Sequence, residues 1–94
     1  MVANVKLIGS FRSISGKDKL ALKLADSQSL RKIMKTIVHE LPGLKQALID
    51  PELGEPRTTM LILVNGKEIS VLQGLETVIK DGDEVVFVPV LHGG

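Results

Sequence analysis

A chain of 94 residues, 44% hydrophobic and 24% charged, has the size and composition of one globular domain with a single core. Twelve basic and eleven acidic residues leave a net charge of +1, which excludes a strong overall field for nucleic acid or an anionic membrane. Two phenylalanines are the whole aromatic content and cysteine is absent, which excludes base-stacking platforms, disulfides, thiolate nucleophiles and cysteine metal sites.

The first part of the chain predicts two paired strands. Residues 2–8 alternate between apolar and polar side chains, which is the period of a half-buried strand, and residues 20–24 do the same. The segment between them, GSFRSISGKD, is rich in glycine and serine and indicates a loop. The two strands should therefore pair as a hairpin.

A helix is predicted after the second strand. Six apolar residues recur at the spacing of one helix face: Leu30, Ile33, Met34, Ile37, Val38 and Leu41. Asp26 or Ser27 can cap the start of this helix, and Pro42 with Gly43 ends it. Residues 43–50 are compatible with a further helical turn, and PELGEPRTT after them indicates a polar surface loop.

The second half of the chain predicts three more strands. The run MLILV is continuously apolar, as in a strand covered on both faces, and the asparagine-glycine pair at 65–66 indicates a hairpin with residues 67–69 returning. A turn at 81–83 leads into the last strand, EVVFVPV, which Pro89 ends or confines to a sheet edge. One helix between two β pairs indicates an α+β domain, in which the main helix packs on one face of a mixed sheet of about five strands.

Two of the predicted strands carry apolar residues on both faces. Leu61 and Leu63 alternate with Ile62, and Val88 alternates with Phe87, so one set must point away from the helix. Either the proline-containing loop covers this second apolar face or the face is a binding surface, because exposed apolar patches mark interaction sites.

Neither a phosphate-binding loop nor a metal site is indicated. Six residues rather than four separate Gly9 from Gly16, and Asp18 stands where a phosphate loop needs serine or threonine. His39 and His92 are far apart in the sequence and supply no ligand cluster. We therefore expect no stably bound cofactor and no metal.

No targeting or membrane-spanning segment is indicated either. The opening MVANVKLIG lacks a basic segment that leads into a long apolar run, and no apolar run approaches the length of a membrane span. We expect a cytoplasmic protein without a membrane partner and without a direct nucleic-acid ligand.

Three motifs, taken together, resemble one family: VNGKEI with its asparagine-glycine turn, IKDGDEVVFVPV, and two glycines as the last two residues. The chain resembles the ubiquitin-like sulfur carriers, which include the molybdopterin synthase small subunit, the thiamine-pathway carrier and the ubiquitin-related modifier. DGDEVVFVPV is most similar to the molybdopterin type, and LHGG is similar to the ending of the modifier.

The resemblance covers nearly the whole chain and implies the β-grasp (ubiquitin-like) fold. The first and last strands would lie parallel and adjacent at the centre of the sheet. Residues 1–94 would form a single domain whose C-terminal Gly-Gly tail, at about residues 90–94, is flexible.

The resemblance also implies that the chemistry occurs at the terminal carboxylate of Gly94. A ubiquitin-activating-type adenylyltransferase would adenylate this carboxylate with ATP, and sulfur would then replace one oxygen to give a thiocarboxylate. Gly93 and Gly94 have no Cβ to clash in a narrow channel beside ATP. The chain would then be a sulfur-carrying co-substrate or synthase subunit and not an enzyme, with ATP used by its partner.

A docking face beside the tail follows from the same resemblance. Its apolar contacts, carried over by position, are Leu61, Leu63, Val88, Val90 and Leu91, and His92 is interpreted as a further contact residue. The sulfur acceptor would be a pterin precursor on the molybdopterin synthase large subunit, or tRNA uridine through a tRNA thiolation enzyme. In the second case the tail can also acylate target lysines. The alternative from another class is a ubiquitin-like binding module whose tail is inert.

Overall fold

The chain folds around one mixed sheet, and a computed structural model describes residues 1–90. The strands are β1 (Val2–Leu7), β2 (Lys19–Lys23), β3 (Gln28–Ser29), β4 (Met60–Val64), β5 (Lys67–Glu68), β6 (Val78–Ile79) and β7 (Glu84–Pro89). The helices are α1 (Ser10–Ser15), α2 (Leu30–Glu40) and α3 (Lys45–Leu48), and 3-10 turns cover Pro42–Leu44, Ile69–Val71 and Gly74–Glu76.

Five strands form the main sheet in the order β2-β1-β7-β4-β5, and β3 pairs with β6 apart from it. β1 and β7 are parallel at the centre, with Val5 opposite Val85, whereas β2 and β4 flank them antiparallel. These pairings confirm the predicted hairpin of the first two strands and the parallel central pair. Because β1 and β7 run in the same direction, both finish at one end of the sheet, which we call the tail end.

The core lies between the sheet and α2. The buried residues of α2 fall on one stripe, as the spacing predicts: Leu30, Ile33, Met34 and Ile37. The facing strands supply alternate residues: Ala3, Val5, Leu7, Leu22, Ile62, Val64, Val85 and Phe87. We call this helix-covered side of the sheet the inner face, and its arrangement confirms the α+β, β-grasp prediction.

The helix α2 starts later than predicted. Ser29, and neither Asp26 nor Ser27, is its N-cap: the Ser29 hydroxyl accepts a hydrogen bond from the backbone N–H of Lys32 at 3.3 Å. Residues 28 and 29 are held in extended conformation because Gln28 pairs with Ile79 in the β3–β6 ladder. This long-range pairing delays the first helical residue to Leu30.

Replacing Ser29 by alanine should destabilise the fold by about 1 kcal/mol, because a helix N-terminal N–H loses its acceptor. The matched control is Ser27→Ala, which removes the same hydroxyl from an exposed residue before β3 and should change stability by less than about 0.5 kcal/mol. Urea unfolding of both variants measures the difference. Equal losses for the two variants would contradict the cap assignment.

The segment predicted as a loop after the first strand contains a helix, α1. Phe11 is buried and anchors this helix to the core. Gly16 ends it in the left-handed conformation, at φ 73°, and its N–H donates to the Arg12 carbonyl at 2.8 Å. The glycine-rich composition therefore marks the two ends of a short helix, and the loop prediction was wrong.

Two predicted turns meet at the end of the sheet opposite the tail end. Asn65 and Gly66 adopt positive φ angles of 50° and 83°, as a tight hairpin turn requires, and β4 and β5 flank them. The Asn65 side chain donates to Asp83 Oδ1 at 3.0 Å and accepts from the Glu84 N–H at 2.9 Å. Asp83 Oδ2 accepts from the Lys80 N–H at 2.8 Å. The side chains of Asn65 and Asp83 therefore form hydrogen bonds that stabilise the two turns.

The surface loop PELGEPRTT packs against the helices. Arg31 of α2 donates to the Glu55 carboxylate and, through Nε at 3.0 Å, to Glu76. These hydrogen bonds, that of Glu55 first, raise the pKa of Arg31 above its ordinary value. Arg57 Nε donates to the Gln46 carbonyl at 2.7 Å. The loop is therefore fastened to α2 and to the neighbouring helical turn.

Candidate functional site

The face of the sheet turned away from α2 carries the second apolar set. Leu61 lies directly opposite Val88 in the β4–β7 ladder, and Leu63 lies opposite Val86. We call these four residues, all half-buried, the outer apolar face. The prediction that MLILV is covered on both faces is wrong, because only its inner residues, of which Ile62 is one, are buried.

The surface loop does not lie over this face. Ile49 and Pro56 form a β-bridge, and the Arg57 N–H donates to the Leu48 carbonyl at 2.8 Å, so the second half of the loop is tied to the segment around α3. Together with the ion pair between Glu55 and Arg31 of α2, these contacts place the loop on the helix side of the molecule. The described contacts favour the second interpretation, a binding surface.

The outer apolar face continues to the tail end. The Ile8 N–H donates to the Phe87 carbonyl at 3.1 Å, which places Ile8 beside Val88. The Val90 N–H donates to the Thr59 carbonyl at 3.1 Å, so β7 stays attached to the β4 side up to the last described residue. Ile8 and Val90 are 44% and 47% exposed, so they extend the apolar surface to this end of the sheet.

Ile8, next to the outer apolar face, is an exposed apolar residue that the sequence analysis did not single out. Its parity is that of Asn4 and Lys6, the polar side of the first strand, so an apolar residue at position 8 breaks the alternation. This break in the alternation is the sequence feature that could have identified Ile8. It does not show that Ile8 belongs beside Val88, because the two residues are neighbours only through the parallel pairing of β1 and β7.

Cations border the outer apolar face. Lys6 Nζ lies 3.2 Å from the carboxylate of Glu84, and both side chains are about two-fifths exposed, so salt screens this pair strongly. Lys19 and Lys23 are exposed on the edge strand β2, on either side of Ala21. An apolar centre with a basic border suits a partner surface with apolar side chains and an acidic rim.

Residues 1–90 contain no group of three or more histidine, aspartate or glutamate side chains placed to hold a metal ion. Over the same residues, none of the helices is both long and apolar enough to cross a bilayer.

The predicted site residues divide into two groups. Leu61, Leu63 and Val88 come together on the outer apolar face, and Val90 follows at the tail end. Four predicted residues lie outside the described part of the chain: Leu91, His92, Gly93 and Gly94. The roles of all eight in binding or chemistry stay predictions.

A family model described as the ThiS family matches residues 5–94, from the middle of β1 to the end of the chain. The chain belongs to the ThiS family. Its members are ubiquitin-like sulfur carriers and modifiers, so the resemblance drawn from the turn motifs and the terminal glycines is confirmed.

Individual relatives of this ThiS-family chain match it over its full length. It is similar to small archaeal modifier protein 3 of Haloferax volcanii, with 28% identity over 94 residues and 100% of both chains covered. It is 34% identical over 100 residues to ubiquitin-related modifier 1 of Schizosaccharomyces pombe, again with 100% of each covered. The solution structure of small archaeal modifier protein 1 from Methanosarcina acetivorans superposes with a TM-score of 0.84 at 30% identity, over 99% of this chain and 96% of the other.

Proposed function

We propose that this ThiS-family chain carries sulfur as a thiocarboxylate on Gly94. The observation that supports the proposal best is the position of the outer apolar face. This face adjoins the end of β7, from which only five residues, 90–94, lead to the terminal carboxylate. A partner that docks on Leu61 and Val88 can therefore reach Gly94 without contacting the rest of the domain.

The chemistry requires an activating partner. The Gly94 carboxylate attacks the α-phosphorus of ATP and displaces pyrophosphate, which gives an acyl-adenylate with a good leaving group. Hydrosulfide then attacks the carbonyl carbon. With hydrosulfide the C–S bond forms as AMP leaves and one proton is released, and the product is the thiocarboxylate. In this scheme the chain is a co-substrate, and ATP binds to the partner alone.

The outer apolar face and its basic border determine which partner fits. A ubiquitin-activating-type adenylyltransferase with apolar side chains ringed by carboxylates would bury Leu61, Val88 and Ile8 and pair with the lysines of β2. The apolar centre supplies affinity and the border speeds encounter. Binding should therefore weaken with added salt, mainly through a slower association rate.

For the sulfur acceptor we propose a pterin precursor bound to a molybdopterin synthase large subunit. The ending DGDEVVFVPV supports this assignment. The full-length likeness to ubiquitin-related modifier 1 and to small archaeal modifier protein 3 supports an alternative, in which a tRNA thiolation enzyme passes the sulfur to uridine and the tail also acylates lysines. Both alternatives use the same thiocarboxylate.

Intact-protein mass spectrometry tests the common step. The chain is incubated with a purified activating enzyme of this class, ATP and sulfide, and we expect a mass gain equal to the exchange of one oxygen for sulfur. Omitting ATP should abolish the gain. An unchanged mass with several such enzymes would instead support the inert binding module. Feeding the thiocarboxylate to each acceptor system, and assaying the dithiolene product or thiouridine, distinguishes the two pathways.

A further inference from the structure

One close contact joins the beginning of α1 to the end of β7. Gly9, the residue before α1, lies beside Pro89, the last residue of β7. A methyl group built on the Gly9 Cα would lie 3.1 Å from Pro89 Cγ and 3.5 Å from Pro89 Cδ. The first distance is shorter than ordinary van der Waals contact between carbons, so any side chain at position 9 would press on the proline ring.

The backbone on both sides of Gly9 is held in place. The Ile8 N–H is bonded to the Phe87 carbonyl of β7, so the residue before Gly9 is fixed to the same strand that carries the proline. Phe11 is buried in the core, which fixes the residues after it. Gly9 itself has φ 59° and ψ −128°, a backbone conformation that glycine adopts far more readily than other residues. The clash would therefore be relieved by movement of Pro89.

Pro89 is well placed to transmit such a movement. Its ring fixes its own φ angle, and the N–H of the next residue, Val90, donates a hydrogen bond to the Thr59 carbonyl. The direction in which the chain leaves the sheet is thus set by the proline on one side and by Thr59 on the other. A shift of the ring changes the point from which the last four residues start.

We propose that Gly9 is a positioning residue for the terminal carboxylate. By having no side chain, Gly9 lets the Pro89 ring pack against the chain between β1 and α1 and so determines the point at which the chain leaves the sheet. The inference rests on the proposed function for its catalytic consequence. The structural part of the inference, that position 9 controls the placement of Pro89 and Val90, does not depend on the proposed function.

The test compares Gly9→Ala with Gly16→Ala. Gly16 also has a positive φ, 73°, but a methyl group there would meet no atom within 4 Å, so this variant controls for a substitution at positive φ without the contact. Its ψ of 9° differs from the −128° of Gly9, and this difference in backbone strain is separated by the Pro89→Ala background. For Gly9→Ala we expect kcat of thiocarboxylation to fall about tenfold, because small displacements of a reacting group slow catalysis strongly, while KM for the chain stays unchanged. Gly16→Ala should keep both constants.

A double-mutant cycle with Pro89→Ala separates ring contact from backbone strain. Without the ring the Gly9→Ala step should cost little, because the contact that displaced Val90 is gone. The inference is overturned if Gly9→Ala lowers kcat by the same factor in the Pro89→Ala background as in the wild-type background. Backbone strain at position 9 would then explain the loss without the ring. The inference is also overturned if Gly9→Ala and Gly16→Ala behave alike.

Amide NMR shifts supply the readout that does not depend on sulfur chemistry. The Val90 amide should shift in Gly9→Ala, remain in place in Gly16→Ala, and show little response to Gly9→Ala in the Pro89→Ala background. If the wild-type chain gains no sulfur, the proposed function fails, and these shifts still decide whether position 9 controls the exit of the chain. An unmoved Val90 amide would refute that control.

Discussion

Deleting Gly94 is expected to reduce thiocarboxylate formation at least about a hundredfold. The deletion withdraws the reacting carbonyl by the length of one residue, about 3.3 Å, and displacements near 1 Å already cost about a hundredfold when a reacting group must be aligned. A variant with one alanine added after Gly94 should fail equally, because the carboxylate then overshoots its position. Intact mass spectrometry after incubation with activating enzyme, ATP and sulfide measures the rate.

Folding and docking serve as the controls for this deletion. The buried core of the described chain runs from Ala3 to Phe87, so thermal unfolding should match that of the wild type. The outer apolar face is untouched, so the Kd for the activating enzyme should change much less than the rate. Sulfur transfer to the shortened chain at the wild-type rate would show that the chemistry occurs elsewhere.

Local chemistry explains which parts of the fold could be predicted from the sequence. The α2 stripe and the 65–66 turn are encoded by neighbouring residues: apolar side chains three and four apart, and an asparagine-glycine pair that accepts positive φ. The parallel centre of the sheet came from the family resemblance, because no periodicity distinguishes β7 beside β1 from β7 at an edge.

The wrong predictions, for the start of α2 and for the segment that forms α1, share a cause: both features depend on contacts with distant parts of the chain. Ser29 caps α2 because Gln28 pairs with Ile79, about fifty positions away in the chain, and this pairing cannot be read from the residues around the cap. The short helix α1 depends on one buried side chain, Phe11, in a segment whose composition indicates a loop.

Some residues of the candidate site could be predicted from the sequence, and others could not. Leu61, Leu63 and Val88 could be assigned to one face because parity along a strand fixes the side to which each residue points. Ile8 was missed, since only the β1–β7 pairing reveals its neighbour. The contact between Gly9 and Pro89 joins the residue before α1 to the last residue of β7 and has no counterpart in the sequence pattern.

Phe87 and Val88 are adjacent in the chain but lie on opposite faces of the sheet, so core packing and partner binding can be tested separately. Phe87 is fully buried toward α2, whereas Val88 is half-buried on the other side. A charge on the outer apolar face should therefore disrupt partner binding while the core stays intact. Leu61 and Val88 are the residues to change together, because they lie directly opposite each other.

The double variant Leu61→Asp/Val88→Asp is expected to weaken binding to the activating enzyme at least about a hundredfold, since buried interface anchors contribute about 2 kcal/mol or more each. The matched control is Lys35→Asp, which makes the same change of two charge units at an exposed residue of α2, on the opposite side of the sheet from the outer apolar face. Titration calorimetry measures Kd for all three chains, and thermal unfolding confirms that each is folded. A folded double variant that binds as tightly as the control would remove the outer apolar face from the mechanism, and the partner would then have to recognise the C-terminal segment alone.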